Sequence, residues 1–140
     1  MSFAMESAPG PQGHRNAPIS NVHIEGLRFL GITVRLRCTN CTVQNCNFDY
    51  PSFQPDIPDV VGVANFTSFD GDNFVVANVT HTNTPHPMHL TGRNVTVENV
   101  LIENQGWYGT LRYVALDLRT VDSTVSNVEI RWTGNVGLQH

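Results

Sequence analysis

Apolar and polar residues alternate over short stretches of this chain, and one nine-residue arrangement occurs five times. In each copy a β-branched residue stands two positions before a central Asn or Gly, and residues that are mostly apolar or aromatic stand one and three positions after it. The copies span residues 21–29, 40–48, 73–81, 94–102 and 122–130. Alternation over so few residues predicts short β-strands, and the recurrence predicts that the copies are structurally equivalent.

The central residue of each copy predicts a corner in the chain. Val97 and Val100 are three residues apart, whereas residues on one face of a straight strand are separated by an even number of positions. Both can face the interior only if the chain turns between them, in a conformation that Asn and Gly tolerate. The five central residues are Gly26, Asn45, Asn78, Asn99 and Asn127.

A second alternating apolar segment stands before each later copy and after the last one. These segments are Ile32–Leu36, Val61–Val63, Met88–Leu90, Val114–Leu118 and Val136–Leu138. Together with the two arms around each corner, they predict three strands per repeat. The chain is therefore expected to be all-β, with equivalent strands of successive repeats stacked around one apolar core.

This arrangement resembles the right-handed parallel β-helix superfamily, the pectate-lyase-like fold, over roughly residues 19–140. The resemblance implies a right-handed single-stranded parallel β-helix, a solenoid of about five coils, preceded by an irregular lead-in or cap at residues 1–18. It also implies a ladder of stacked amides formed by Asn45, Asn78, Asn99 and Asn127. We expect a truncated piece of a longer solenoid, or an oligomer or missing flanking coils that cover the open end.

Composition and charge exclude some partners and support the β assignment. Val, Asn, Thr and Ile total 50 of the 140 residues, and all eight basic residues are Arg. A net charge of −4 disfavours a nucleic-acid partner, which would require dense positive charge. No apolar run is long enough to cross a bilayer and no signal peptide is visible, so we expect no membrane partner. The resemblance nevertheless implies an extracellular or cell-surface location.

The first strand of each repeat carries the main catalytic candidates. Reactive groups of β-helix enzymes project from this strand, so its outward residues are the informative ones. With Val34, Met88, Leu116 and Leu138 facing inward, the outward residues are Arg35, His89, Asp117 and Gln139, followed two positions later by Arg37, Thr91 and Arg119. A hydrogen bond between His89 and Asp117 would provide a general acid or base, and the Arg side chains and Gln139 would bind sugar groups. The alternative is an ordinary solvated sheet surface.

Further candidates lie in the predicted loops. Asp70 and Asp72, in the loop before the third corner, could serve as catalytic acids or calcium ligands, although a plain turn is the favoured interpretation. Glu103 could supply another acid. Trp107 and Tyr108 would provide a stacking surface for a sugar ring or simply shield strand edges.

The cysteines and histidines do not predict a metal site. Cys38, Cys41 and Cys46 are an odd number within nine residues, and a disulfide framework is not expected; they are interpreted as small core residues. His81 occupies an inward position, and His86 lies in a Pro-flanked turn, so convergence of these two with His89 on one ion is disfavoured. We expect no cofactor, with calcium as the remaining, unsupported alternative.

The resemblance implies two functions from different classes. The first is a carbohydrate-active protein, either a glycoside hydrolase or a polysaccharide lyase, that acts on an extended polysaccharide. A hydrolase would need a second carboxyl group near Asp117, and a lyase would need a base, here His89, Arg35 or Arg119. The Asn-Thr-Asp and Gly-His-Gly motifs of pectin hydrolases are missing. The second function is a noncatalytic surface, adhesin or tail-fibre segment that binds glycan or protein.

Overall fold

The computed structural model describes residues 2–5, 19–49, 67–83, 88–103, 114–131 and 136–139. Over these residues the chain is all-β and contains no helix, and none of them forms a helix able to span a membrane. The strands are β1 (Ser2–Met5), β2 (Ile19–Ser20), β3 (His23–Glu25), β4 (Arg28–Leu30), β5 (Thr33–Thr39), β6 (Cys41–Gln44), β7 (Asn47–Asp49), β8 (Thr67–Asp70), β9 (Phe74–Thr82), β10 (Met88–Arg93), β11 (Thr96–Glu103), β12 (Val114–Val121), β13 (Thr124–Arg131) and β14 (Val136–Gln139).

The described strands form two sheets in which the paired strands are parallel. Sheet 1 has the order β1, β5, β8, β10, β12, β14, and β2 also pairs with β5. Sheet 2 has the order β13, β11, β9, β6, β3, with β4 and β7 continuing β3 and β6 beyond the corner. From β8 to β14 the chain alternates between the sheets, and each strand pairs with the equivalent strand of the previous repeat. The prediction of stacked parallel strands is confirmed.

The register of sheet 2 matches the sequence repeat residue by residue. Val76 lies opposite both Val43 and Val97, and Phe48 lies opposite both Phe29 and His81. The rings of Phe29 and Phe48 stack with their centroids 4.9 Å apart. The inward positions of successive repeats therefore share one buried apolar core.

The predicted corners are present in all five repeats. Their central residues have positive φ angles: Gly26 71°, Asn45 54°, Asn78 53°, Asn99 53° and Asn127 50°. The predicted amide ladder forms only in part, because Asn127 donates to the Oδ1 of Asn99 at 3.0 Å whereas Asn45 donates to the Oε1 of Glu25 at 3.0 Å.

The longer amide ladder lies at another corner, between the two sheets. The first residues of the five copies, Asn21, Asn40, Asn73, Asn94 and Asp122, also have positive φ angles, between 54° and 59°. Asn73 donates to Asn40 at 2.9 Å, and Asn94 donates to Asn73 at 2.7 Å. The sequence analysis identified the position but not this role.

The structure differs from the prediction at two strands of sheet 1. Val61–Val63 lies outside the described residues, and the corresponding place in sheet 1 is taken by β8, where Thr67 is fully buried. Ser2–Met5, placed in the predicted irregular lead-in, forms β1 and pairs with β5. The proposed division between residues 1–18 and 19–140 stays a prediction.

The three cysteines are buried, as expected for small core residues. Cys38 and Cys41, however, form a disulfide, which corrects the interpretation of these two cysteines as unbridged small core residues. They lie on either side of the corner at Asn40, with Cα atoms 6.1 Å apart and both side chains inside. Cys46 is a buried free thiol.

Candidate functional site

The outward face of sheet 1 carries two parallel columns of polar residues. The outer column, defined by backbone register, consists of Arg35, Ser68, His89, Asp117 and Gln139. The second column, two residues further along the strands, consists of Arg37, Asp70, Thr91 and Arg119. Both sequence neighbours of Arg35, Ser68, His89 and Asp117 are buried. Alternation therefore directs these four side chains away from the core.

His89 and Asp117 form the predicted pair at the centre of this face. Nδ1 of His89 lies 3.0 Å from Oδ2 of Asp117, across neighbouring strands β10 and β12. The Asp117 side chain is 7% exposed and the His89 side chain is 36% exposed. An ionised carboxylate can only accept, so this contact places the proton of a neutral imidazole on Nδ1 and leaves Nε2 as the acceptor. The arrangement is that of an oriented general base.

Arg119 provides a second charged partner for the same carboxylate. Its Nε donates to Oδ2 of Asp117 at 3.1 Å, while its side chain is 74% exposed. A buried carboxylate requires such partners, since an unpaired buried charge is costly. Arg119 therefore gives the Asp117 carboxylate a charged hydrogen-bond donor and leaves the rest of its guanidinium at the surface.

Asp70 lies in the middle of sheet 1, not in a loop as predicted. Its Oδ2 lies 3.3 Å from Nε of Arg37 on β5, on the side away from β12. Two strands and two residues separate Asp70 from Asp117, or roughly 12 Å between Cα atoms at the usual strand spacing and rise. Paired glycosidase carboxyl groups lie about 5–5.5 or 6.5–9.5 Å apart. Those separations apply to carboxyl groups and not to Cα atoms, but Asp70 contacts Arg37 whereas Asp117 contacts His89 and Arg119, so the structure does not pair the two acids.

Asp72 has a backbone partner at the corner that follows β8. Its Oδ1 accepts a hydrogen bond from the backbone N–H of Arg93 at 2.9 Å. This contact ties the corners of two successive repeats together and agrees with the turn interpretation of Asp72. Its catalytic assignment stays a prediction without geometric support.

Glu103 lies on the other sheet from the His89–Asp117 pair. It ends β11, where its Cα is opposite those of Thr82 and Arg131 in sheet 2. The pKa of Arg131 is raised above its usual value, chiefly by its hydrogen bond to Glu129, with a smaller contribution from the charge of Glu103. Glu103 thus belongs to a surface charge cluster of sheet 2.

The structure gives a backbone position for two of the remaining predicted binding residues and describes neither of the other two. Arg35 is exposed on β5 opposite Ser68, and Gln139 is paired with Asp117 through β14. Trp107 and Tyr108 lie outside the described residues, so their assignment stays a prediction.

No group of three or more metal-ligating side chains occurs among the described residues. His81 is fully buried, as predicted, and its Nε2 lies 3.1 Å from Oγ1 of Thr67. It faces the core, whereas His89 faces outward, so these two cannot share an ion. His86 lies outside the described residues.

The sequence analysis missed Ser68. It assigned the first strand of this repeat to Val61–Val63, which hid the outward position between Thr67 and Phe69. The Thr-x-Phe alternation of residues 67–69 was the available signal, but Thr67 is a polar residue at an inward position. Comparison with protein-family models, curated proteins and solved structures gives no significant match.

Proposed function

We propose that this chain is a right-handed parallel β-helix and that sheet 1 is its glycan-facing surface. Support for the fold comes from parallel pairing, from the alternation of the chain between two sheets and from the repeated left-handed corners. Crossovers between parallel strands of one sheet are nearly always right-handed, which supports the handedness. An extracellular or cell-surface location belongs to this proposal.

The proposed activity is cleavage of an extended polysaccharide, with His89 as the general base. The observation that carries it is the contact between His89 Nδ1 and buried Asp117, which leaves Nε2 to take a proton. Of the two cleavage reactions, the geometry favours elimination over hydrolysis, because Asp70 is not in register with Asp117 and Asp117 is already held by Arg119.

The elimination reaction can be written with the groups of this face. Nε2 of His89 takes the proton from the carbon beside a uronate carboxylate, the electron pair forms a C=C bond, and the neighbouring glycosidic C–O bond breaks. The leaving oxygen takes up a proton from water, and Nε2 of His89 then returns its proton to the hydroxide that remains. Arg119, which lies beside His89 at the surface, would bind the uronate carboxylate and stabilise the carbanion-like charge.

The test measures unsaturated products from a panel of uronate polysaccharides and reducing ends from neutral ones. Unmutated protein should release unsaturated ends, and His89→Ala should lower turnover by about 10²–10⁴-fold. His23→Ala is the matched control, because His23 is exposed on sheet 2 and should leave turnover unchanged. Equal turnover by the His89 variant would remove the proposed base, and release of saturated reducing ends alone would favour hydrolysis.

A noncatalytic glycan-binding surface is the second candidate. It is favoured by the ion pairing of the second column, in which Arg37 contacts Asp70 and Arg119 contacts Asp117. Such pairs are typical of a solvated sheet surface. Absence of turnover on the whole panel, together with glycan binding that weakens in Arg119→Ala, would support this candidate over the enzyme.

A further inference from the structure

Ser68, His89 and Asp117 occupy the same register position on three consecutive strands of sheet 1. Ser68 on β8 is the Cα partner of His89 on β10, and His89 is the Cα partner of Asp117 on β12. Adjacent strands lie about 4.8 Å apart, so one strand spacing separates each member of the series from the next. A hydroxyl, an imidazole and a carboxylate therefore follow one another along the outer column.

The orientation of Ser68 follows from its neighbours. Thr67 and Phe69 are 0% and 1% exposed, and both point into the core. Ser68 between them faces outward with His89 and is partly buried. Nδ1 of His89 is occupied by Asp117 on β12, and β8 lies on the opposite side of β10. The remaining ring nitrogen of His89, Nε2, has no hydrogen-bond partner among the described residues, and Ser68 is the register neighbour of His89 on β8.

We propose that Ser68, His89 and Asp117 form a nucleophilic triad that hydrolyses a carboxylic ester. The pattern of hydroxyl, base and orienting carboxylate is what activates serine on unrelated folds, where it is recognised by geometry and roles. This activity goes beyond the proposed elimination: it uses the same imidazole and requires Ser68, which elimination does not.

The two chemical steps balance through one proton. Oγ of Ser68 bonds to the ester carbonyl carbon while its proton passes to Nε2 of His89, and the C–O bond to the alcohol breaks as the alcohol takes that proton. Water then attacks the acyl-serine, gives its proton to Nε2 and releases the acid, and Oγ takes the proton back. Asp117 holds the imidazolium in both steps.

A cation stands at the other end of the series. Arg35 on β5 is the Cα partner of Ser68 on the side away from His89. A guanidinium at this position is placed to stabilise the negative charge that develops on the carbonyl oxygen next to Ser68. The outer column thus orders cation, nucleophile, base and carboxylate across four adjacent strands.

The first test uses a fluorophosphonate probe, which phosphonylates activated serine, on the full 140-residue chain. The expected result is one adduct that mass spectrometry maps to Ser68, with labelling about 10³-fold slower in His89→Ala. Ser126→Ala, an outward serine on sheet 2, is the matched control and should label like the unmutated protein. No adduct, or an adduct on any other serine, overturns the proposal, and mapping on the unmutated chain needs no variant to fold.

The second test measures turnover of p-nitrophenyl acetate and of acetylated polysaccharide. Ser68→Ala should abolish acetate release. Acetate release that persists in Ser68→Ala overturns the triad. Unsaturated ends without labelling would retain the elimination and reject the triad, whereas labelling at Ser68 without unsaturated ends would retain the triad and reject the elimination.

Discussion

The backbone of Gly71 lies against the carbonyl group of Cys38 so closely that a Cβ atom on Gly71 would overlap the Cys38 oxygen. Gly71 also has a φ of 151°, which side-chain-bearing residues rarely adopt. We expect Gly71→Ala to lower the free energy of unfolding by about 3 kcal/mol through backbone displacement and strain. Urea denaturation would measure the change.

Gly26→Asn is the control for that measurement. Gly26 also has a positive φ, 71°, but an added Cβ would have open space within 4 Å. The equivalent corners of the other repeats carry Asn, so this variant should unfold within about 0.5 kcal/mol of the unmutated chain. Equal stability losses in both variants would contradict the close-approach argument.

The amide ladder predicts that alanine substitutions at two corners with the same backbone conformation lower stability by different amounts. Asn73 bonds to both Asn40 and Asn94, whereas the side chain of Asn21 contacts its neighbour Ser20 at 3.5 Å. Their φ angles, 54° and 59°, are nearly equal. Asn73→Ala should therefore cost about 1–2 kcal/mol more than Asn21→Ala, the net value of two hydrogen bonds. Thermal or urea unfolding that ranks them equally would remove the ladder as a stabilising element.

Asp49 predicts a loss of stability in acid. Burial raises the pKa of its carboxyl group, but hydrogen bonds from Asn83, Arg28 and Thr82 outweigh burial, and the pKa lies below the usual 3.8. A carboxyl group whose pKa is lower in the folded chain contributes stability above pH 3.8, and this contribution is lost as the pH falls through the folded pKa. In Asp49→Asn, the decrease in unfolding free energy below about pH 4 should be smaller. An equal decrease in unfolding free energy at low pH in Asp49→Asn and the unmutated chain would contradict the role given to Asp49.

The contact between His89 and Asp117 predicts one tautomer. The Nδ1–H form of His89 should dominate when its imidazole is neutral, because ionised Asp117 only accepts. Nitrogen-15 chemical shifts of the imidazole would report it directly. Asp117→Asn should release this preference and lower turnover by about 10²–10⁴-fold, since the ring is no longer held with Nε2 outward. An Nε2–H form in the unmutated chain would contradict the oriented-base assignment.

The fold follows from sequence patterns wherever the inward residues are apolar. Alternation around Asn99 identifies both Val97 and Val100 as buried, and it identifies the left-handed corner between them. It fails at β8, where Thr67 occupies an inward position and binds His81. A buried polar pair has no hydrophobic signature, so the alternation of Thr67 and Phe69 was too weak to assign the register of that repeat and the position of Ser68.

The sequence predicts only some of the contacts between individual side chains. The contact between His89 and Asp117 could be anticipated because both follow inward residues at the same repeat position. The bridge between Cys38 and Cys41 could not, because it depends on the corner at Asn40 bringing two inward side chains together. The sequence also does not show that Glu103 and Asp117 lie on different sheets, because the strand pairing decides this.

The parallel pairing of strands from successive repeats constrains how this chain can fold. Each strand pair joins distant segments of the chain. The hydrogen bond from Asn94 to Asn73, for example, joins residues that are 21 positions apart. The chain loses conformational entropy when it brings such segments together, and the strand hydrogen bonds that compensate for this loss form only afterwards. Folds dominated by non-local pairing therefore form slowly. We therefore expect refolding to begin with the pairing of two successive repeats. The other repeats would then add their strands to the exposed edges of this pair.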